Sequence, residues 1–156
     1  MYSNNLICDI LFYIDNNLNS KITIDNLSKT FYFNRYYIMK LFKKEIGITI
    51  LDYINKLRIY NSLNDIKNSN DYLIKIAIKN GFYSLEYFSE TFNKIIGVSP
   101  SYFKKFCNYN SNLDENKLNI IRNNLIELHS FIDFVNRYKI NKKPSNHPVK
   151  KLSIFR

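Results

Sequence analysis

The sequence predicts an all-α chain: two helix-turn-helix units joined by a long connector helix, with one further helix at the C-terminal end. Three observations carry that expectation. The first is composition. Three Gly and three Pro in 156 residues are few for a β-rich or low-complexity chain, and 46% hydrophobic residues suffice for a compact core. The second is the stretch Ile76–Phe103, IAIKNGFYSLEYFSETFNKIIGVSPSYF, which reads as helix, tight turn, helix, stop and new helix start. The third is that this pattern occurs twice. With an offset of fifty, Tyr37 matches Tyr87, Phe42 matches Phe92, Lys44 matches Lys94, Ile46 matches Ile96 and Gly47 matches Gly97. Upstream of the turn the offset is forty-nine, so Leu27-Ser28 pairs with Ile76-Ala77 and the first copy has no equivalent of Gly81.

Each element has a local reason. Leu6 to Asn17 reads as the first helix, with Leu6, Ile7, Ile10, Leu11 and Ile14 on one face. Thr23 caps a short helix over Ile24–Thr30, and Asn34 caps a third over Arg35–Ile46, which Gly47 ends. Thr49 opens the connector, which runs to about Ile66; its roughly eighteen residues span ~27 Å at about 1.5 Å per residue. Asn68-Ser69-Asn70 is a turn. Asp71 is the expected cap of a helix over Tyr72–Asn80, which Gly81 stops; Ser84 caps the next, which Gly97 stops. Ser99-Pro100 is a cap followed by Pro at the first helical position, starting a short helix to about Phe106. Asn108–Asn112 (NYNSN) reads as a linker. Asp114 to about Tyr138 reads as a last helix whose Leu118, Ile121, Leu125, Leu128, Ile132 and Val135 step by three and four, a seam of not quite three heptads. That seam either pairs with its own copy in a weak homodimer through 114–138 or docks on the rest of the chain, and its short length favours docking. From Lys139 on, six basic residues and no acid make a tail expected to be flexible.

These residues carry a family resemblance. Asn34, Tyr37-Ile38, Leu41-Phe42-Lys43-Lys44, Gly47, Tyr53-Ile54, Arg58, Ile76-Ala77, Gly81-Phe82, Ser84, Tyr87-Phe88-Ser89, Phe92, Lys94, Gly97 and Ser99-Pro100-Ser101-Tyr102-Phe103 stand in the register of AraC/XylS-type transcription regulators. Residues about 6 to 106 resemble the DNA-binding domain of that family; the last fifty do not. The division that follows is a DNA-binding domain over 1–107, with motifs at about 23–47 and 72–97 and the connector at 49–66, then a linker and helix over 108–139 and a basic tail over 140–156. The resemblance implies a cytoplasmic, sequence-specific regulator of double-stranded DNA, more often an activator that recruits RNA polymerase. With only five residues before the first helix, the usual N-terminal sensor is not expected.

Charge placement fits a polyanionic partner. The chain has a net charge of +10. AT-rich coding would enrich Lys and Asn, but it would not place the charge. Asn34–Tyr60 holds six basic residues and two acids, whereas Met1–Phe33 and Asn108–Tyr138 each net −1. On the helix after Asn34, the residues Tyr36, Met39 and Lys40 fall at i, i+3 and i+4 on one face; they are the candidates for base edges, and the resemblance implies the same three. Lys donates to guanine O6/N7, while Tyr and Met offer apolar contact to a thymine methyl. Arg35, Lys43 and Lys44 are candidates for phosphates. On the helix after Ser84 the outward face reads Leu85, Glu86, Ser89, Glu90 and Asn93, with Ser84, Lys79 and Lys94 as candidate phosphate contacts. A carboxylate accepts from cytosine N4 but repels phosphates, so Glu86 and Glu90 either read bases or mark a half that touches DNA weakly. Tyr37, Phe42, Tyr87, Phe88 and Phe92 are expected in the core rather than as stacking aromatics. Arg58 is expected to be structural.

Other chemistries find little footing. Cys8 and Cys107 lie far apart, fitting a reducing compartment rather than a disulfide scaffold. His129 and His147 are the only histidines, so no metal site is expected, nor any other cofactor. No apolar run approaches the ~18 residues of a membrane span, and no basic n-region marks a signal peptide. No nucleophile–base set or phosphate loop suggests an enzyme. The rival from another class is a protein-interaction module or anti-regulator that keeps the fold and uses the last helix and the acidic face around Glu86 and Glu90.

Overall fold

The computed structural model describes residues 3–108 and 114–142, and among them the chain forms eight helices and no strand. They are α1 (Ser3–Asn17), α2 (Ile24–Phe31), α3 (Arg35–Ile46), α4 (Ile50–Asn68), α5 (Leu73–Lys79), α6 (Leu85–Ile96), α7 (Pro100–Asn108) and α8 (Glu115–Asn141). The expected linker beyond Asn108 lies outside the described residues, as does the tail beyond Lys142. The first residues of the expected flexible tail, Lys139–Asn141, instead continue α8, with Lys139 paired to Asp15 at 2.5 Å and Lys142 to Glu45 at 3.2 Å.

The helix starts are set by side-chain caps that satisfy otherwise orphaned backbone donors. Thr23 Oγ1 accepts from Asn26 N at 3.1 Å, Asn34 Oδ1 from Tyr36 N at 2.8 Å and Thr49 Oγ1 from Asp52 N at 3.1 Å. Ser84 Oγ accepts from Tyr87 N at 3.1 Å and Ser99 Oγ from Tyr102 N at 3.2 Å. α5 departs from expectation. Its N-cap is Tyr72, with no side-chain cap bond, and the amides of Lys75 and Ile76 turn back to Tyr72 O. Asp71 lies one residue too early to cap, and its carboxylate takes the Lys75 ammonium at 2.8 Å instead.

Two apolar cores result. Leu6, Ile7, Ile10, Leu11 and Ile14 of α1 pack with Leu27, Ile38, Phe42 and the first half of α4 through Tyr53 and Ile54. The second half of α4, through Ile59 and Ile66, packs with Ile76, Phe82, Phe88, Phe92, Ile96 and Phe103. α4 thus belongs to both cores, one at each end. α8 does the same in the reverse sense: Ile121 and Leu128 enter the second core and Val135 the first. Its apolar seam is docked on the body of the same chain. The 27 residues of α8 make it ~40 Å long, enough to cross both cores.

The turn of the second motif closes against the first half. Arg58, only 7% exposed, donates from Nε to Leu18 O at 3.0 Å and from Nη2 to Ser20 O at 2.9 Å. Gly81, at φ +84°, sits against this pair; a Cβ there would lie 2.6 Å from Leu18 O and 2.8 Å from Arg58 Nε. Only glycine fits, for conformational and steric reasons together. In the first motif the left-handed turn residue is Tyr32, at φ 60° and 88% exposed, where nothing crowds its side chain.

Tyr37 and Tyr87 are not in the core: they are 42% and 41% exposed. The positions i, i+4 and i+8 that fill the cores are Ile38, Phe42, Ile46 and Phe88, Phe92, Ile96, and each tyrosine precedes its stripe by one residue, on the flank. Tyr37 stacks on Phe33 at 5.5 Å between ring centroids, and Tyr87 accepts a hydrogen bond from Asn55 Nδ2 at 2.8 Å.

Candidate nucleic-acid interface

α3 presents a continuous exposed face. Tyr36, Met39, Lys40, Lys43 and Lys44 are all exposed, and Lys40 Nζ lies 5.9 Å from the Tyr36 ring centroid. A cation held beside a phenol ring leaves its donors free for an acceptor in front of the helix. Arg35 is exposed too, but its guanidinium is paired with Asp25 of α2 at 2.8 Å. A pair this exposed is worth at most about 1 kcal/mol, so a phosphate could compete for the arginine. Gly47 stops the helix at φ +90°, its N–H returning to Lys43 O.

α6 divides the residues expected on its outer face. Glu86, Glu90, Asn93 and Lys94 are exposed, and Ser89 is half-buried. Leu85, read from the sequence as outward, is half-buried against the second core, because it precedes Phe88 and Phe92 by three and seven residues and joins their stripe. Glu90 and Lys94 line a groove of about 520 Å³ between α6, the first turns of α4 and the middle of α8, with Leu51, Asn55, Lys56 and Glu127 among its other walls. Glu86 and Asn93 do not line it. The two glutamates taken together in the sequence therefore have different surroundings. Ser84 is engaged as the α6 cap, leaving its hydroxyl proton free to donate. Lys79 is held by Asp65 at 2.6 Å, and Asp65 also accepts from Asn80 Nδ2 at 2.8 Å. Burial alone would raise the Asp65 pKa; the hydrogen bonds from Lys79 and Asn80 outweigh it and hold the carboxyl below its ordinary value.

Of the exposed aromatics beside α3, Tyr32 and Phe33 were not singled out from the sequence, and Tyr37 was expected in the core. Tyr32, Phe33 and Tyr37 flank Tyr36 at the start of the helix. The signal for them was present, since the aromatic run 31–33 precedes the Asn34 cap in a turn too short to bury every ring.

Comparison with known proteins fits this arrangement. A family described as a helix-turn-helix domain matches residues 27–105, just over half of the chain. The HTH-type transcriptional activator AarP of Providencia stuartii is 26% identical over 103 residues, covering 66% of this chain and 76% of that protein. Among solved structures, the DNA-binding domain of AdpA, a global transcriptional factor in complex with a target DNA, is similar with a TM-score of 0.61 at 17% identity, over 65% of this chain and 92% of that one. A transcriptional regulator of Chromobacterium violaceum with an AraC-type DNA-binding domain gives a TM-score of 0.57 at 18% identity, over 65% and 90%. At these identities the likeness to the two structures is one of fold. No helix among the described residues is long and apolar enough to cross a membrane. The chain belongs to the AraC-type helix-turn-helix family of DNA-binding transcription regulators.

Proposed function

We propose that the protein is a cytoplasmic transcription activator that reads two successive major grooves of double-stranded DNA with α3 and α6 of one chain, and recruits RNA polymerase to the promoter. The observation that carries this is the pairing of two capped second helices through one unbroken helix: the 19 residues of α4 span ~28 Å, close to the ~34 Å of one DNA turn. In this reading Tyr36, Met39 and Lys40 reach base edges from α3, while Arg35, Lys43 and Lys44 hold phosphates. From α6, Glu86, Ser89 and Asn93 reach base edges, and Glu90 and Lys94 lie at the groove side. Ser84 holds a phosphate by its free proton. The activator role follows from AarP, an HTH-type transcriptional activator to which the chain is similar.

The test is transcription in vitro from a promoter carrying the selected site, with purified RNA polymerase. Added protein should raise transcript yield, and a site scrambled in either half should abolish the effect. Lower yield would make the protein a repressor. An unchanged yield together with Glu86→Gln and Glu90→Gln variants that bind DNA normally but lose a protein partner would favour the interaction-module reading.

A further inference from the structure

α8 lies wholly outside the segment matched by the helix-turn-helix family, yet it touches the last turn of both recognition helices. At α6, Asn124 Nδ2 donates to Ile96 O at 2.9 Å, satisfying a carbonyl that the helix itself leaves open. The approach is close. A Cβ on Gly97, which caps α6 at φ +88°, would lie 2.4 Å from Ile120 Cγ2 and 2.8 Å from Asn124 Nδ2, so α8 leaves no room for a side chain at this stop. At α3, Tyr138 Oη and Lys142 Nζ both reach Glu45 Oε2 at 3.2 Å, one residue before the helix ends. Between these anchors α8 follows α4: His129 meets the Tyr60 ring at 5.2 Å and Lys56 lies 5.6 Å from the Phe131 ring. Asn124 and Tyr138 are fourteen residues apart, about 21 Å along the helix.

We propose that α8 is an intramolecular strap that fixes the separation and angle of the two recognition helices, and so makes the spacing between the two DNA half-contacts part of the protein's specificity. A single connector leaves two bodies free to bend and twist about it. A second helix, anchored in both cores and to the ends of both reading helices, closes the frame. One inserted base pair displaces the second half-contact by about 3.4 Å and turns it by about 34°. A hinged pair of motifs follows that change; a strapped pair leaves the mismatch to be taken up by the DNA. The proposal rests on the two-groove reading.

The test is binding to a series of sites in which the two half-contacts are moved apart or together one base pair at a time. The intact chain should prefer its best spacing over either neighbour by about tenfold or more, because rigid tethering concentrates the second contact at one distance. The combined variant Asn124→Ala, Tyr138→Phe, Lys142→Ala touches no proposed DNA contact. It should lower that preference by at least about threefold while leaving each isolated half-contact unchanged. A second measurement needs no strap variant. Spin labels at Lys29→Cys and Lys75→Cys, in a Cys107→Ser background, should report one narrow distance in the intact chain and a broader one in the combined variant. A broad distance in the intact chain would overturn the strap. So would spacing-dependent binding that the combined variant leaves unaltered. Binding by the intact chain that ignores spacing, with a narrow label distance, would instead sink the two-groove reading.

Discussion

Lys40 and Lys43 are both exposed on α3, and the proposed interface gives them different work. Lys40 shares its face with Tyr36 and Met39, so Lys40→Ala should weaken specific binding by ~1–3 kcal/mol and relax the preference at one base pair. Lys43→Ala should weaken all sequences alike and reduce the slope of log affinity against log salt by ~1. Equal effects of the two changes on specific and random DNA, measured by titration at several salt concentrations, would contradict this sorting. Tyr32 makes a separate point about stability. It is the non-glycine residue of positive φ among those described, at 60°, and its ring is almost wholly exposed. A left-handed conformation costs a β-carbon residue ~1–2 kcal/mol, partly offset by the entropy glycine loses on folding. Tyr32→Gly should therefore stabilise the fold by ~0.5–1 kcal/mol in denaturant unfolding, whereas Gly81→Ala should destabilise it, since Leu18 O and Arg58 already fill the space. These two turns were unequal in the sequence, where one copy has the glycine and the other lacks it.

At the scale of elements, the tie between α4 and α5 has a pH signature. Asp65 is held below its ordinary pKa by Lys79 and Asn80. Its contribution is fully present above the unfolded-state value of about 3.9 and is lost as pH falls through the lower folded value. Asp65→Asn should thus lower the denaturation midpoint at pH 7 and flatten the fall in stability below pH ~4. A variant as acid-sensitive as the parent would remove Asp65 from the account. α8 supplies a second test. Leu128 is 1% exposed in the second core, so Leu128→Ala should cost ~2–5 kcal/mol in unfolding. With its seam covered by its own chain, the protein should scatter light as a monomer at tens of micromolar; a dimer would contradict the docked helix. The caps and stops at Thr23, Asn34, Gly47, Thr49, Ser84, Gly97 and Ser99 were legible because each is a local rule with one favoured residue set. Asp71, Leu85, Tyr37 and Tyr87 were not. Each depends on a helix start or face resolved to a single residue, and at 100° per residue an error of one carries a side chain from core to flank.

For the molecule as a whole, the seam of α8 was legible but its partner was not. A three-four apolar spacing fits a coiled coil and a docked helix equally well. What it meets here is built from α1, α4 and α6, elements far apart in sequence. The same holds for the candidate interface. Exposure of the α3 face follows from periodicity, while the division of Glu86 from Glu90 follows from where α4 and α8 run beside α6. The repeat is what ties both halves to the proposed function: in the two-groove reading, one chain carrying two unlike reading helices has no reason to select a symmetric site. Selection of bound DNA from a random library by the full chain, followed by footprinting of the selected site, tests that claim most directly. A chain that reads DNA with α3 and α6 together should select one non-palindromic site with two recognised blocks about 10–10.5 base pairs apart, protected on successive major grooves and saturated by one chain per site. A palindrome bound by two chains, or protection confined to a single groove, would contradict it.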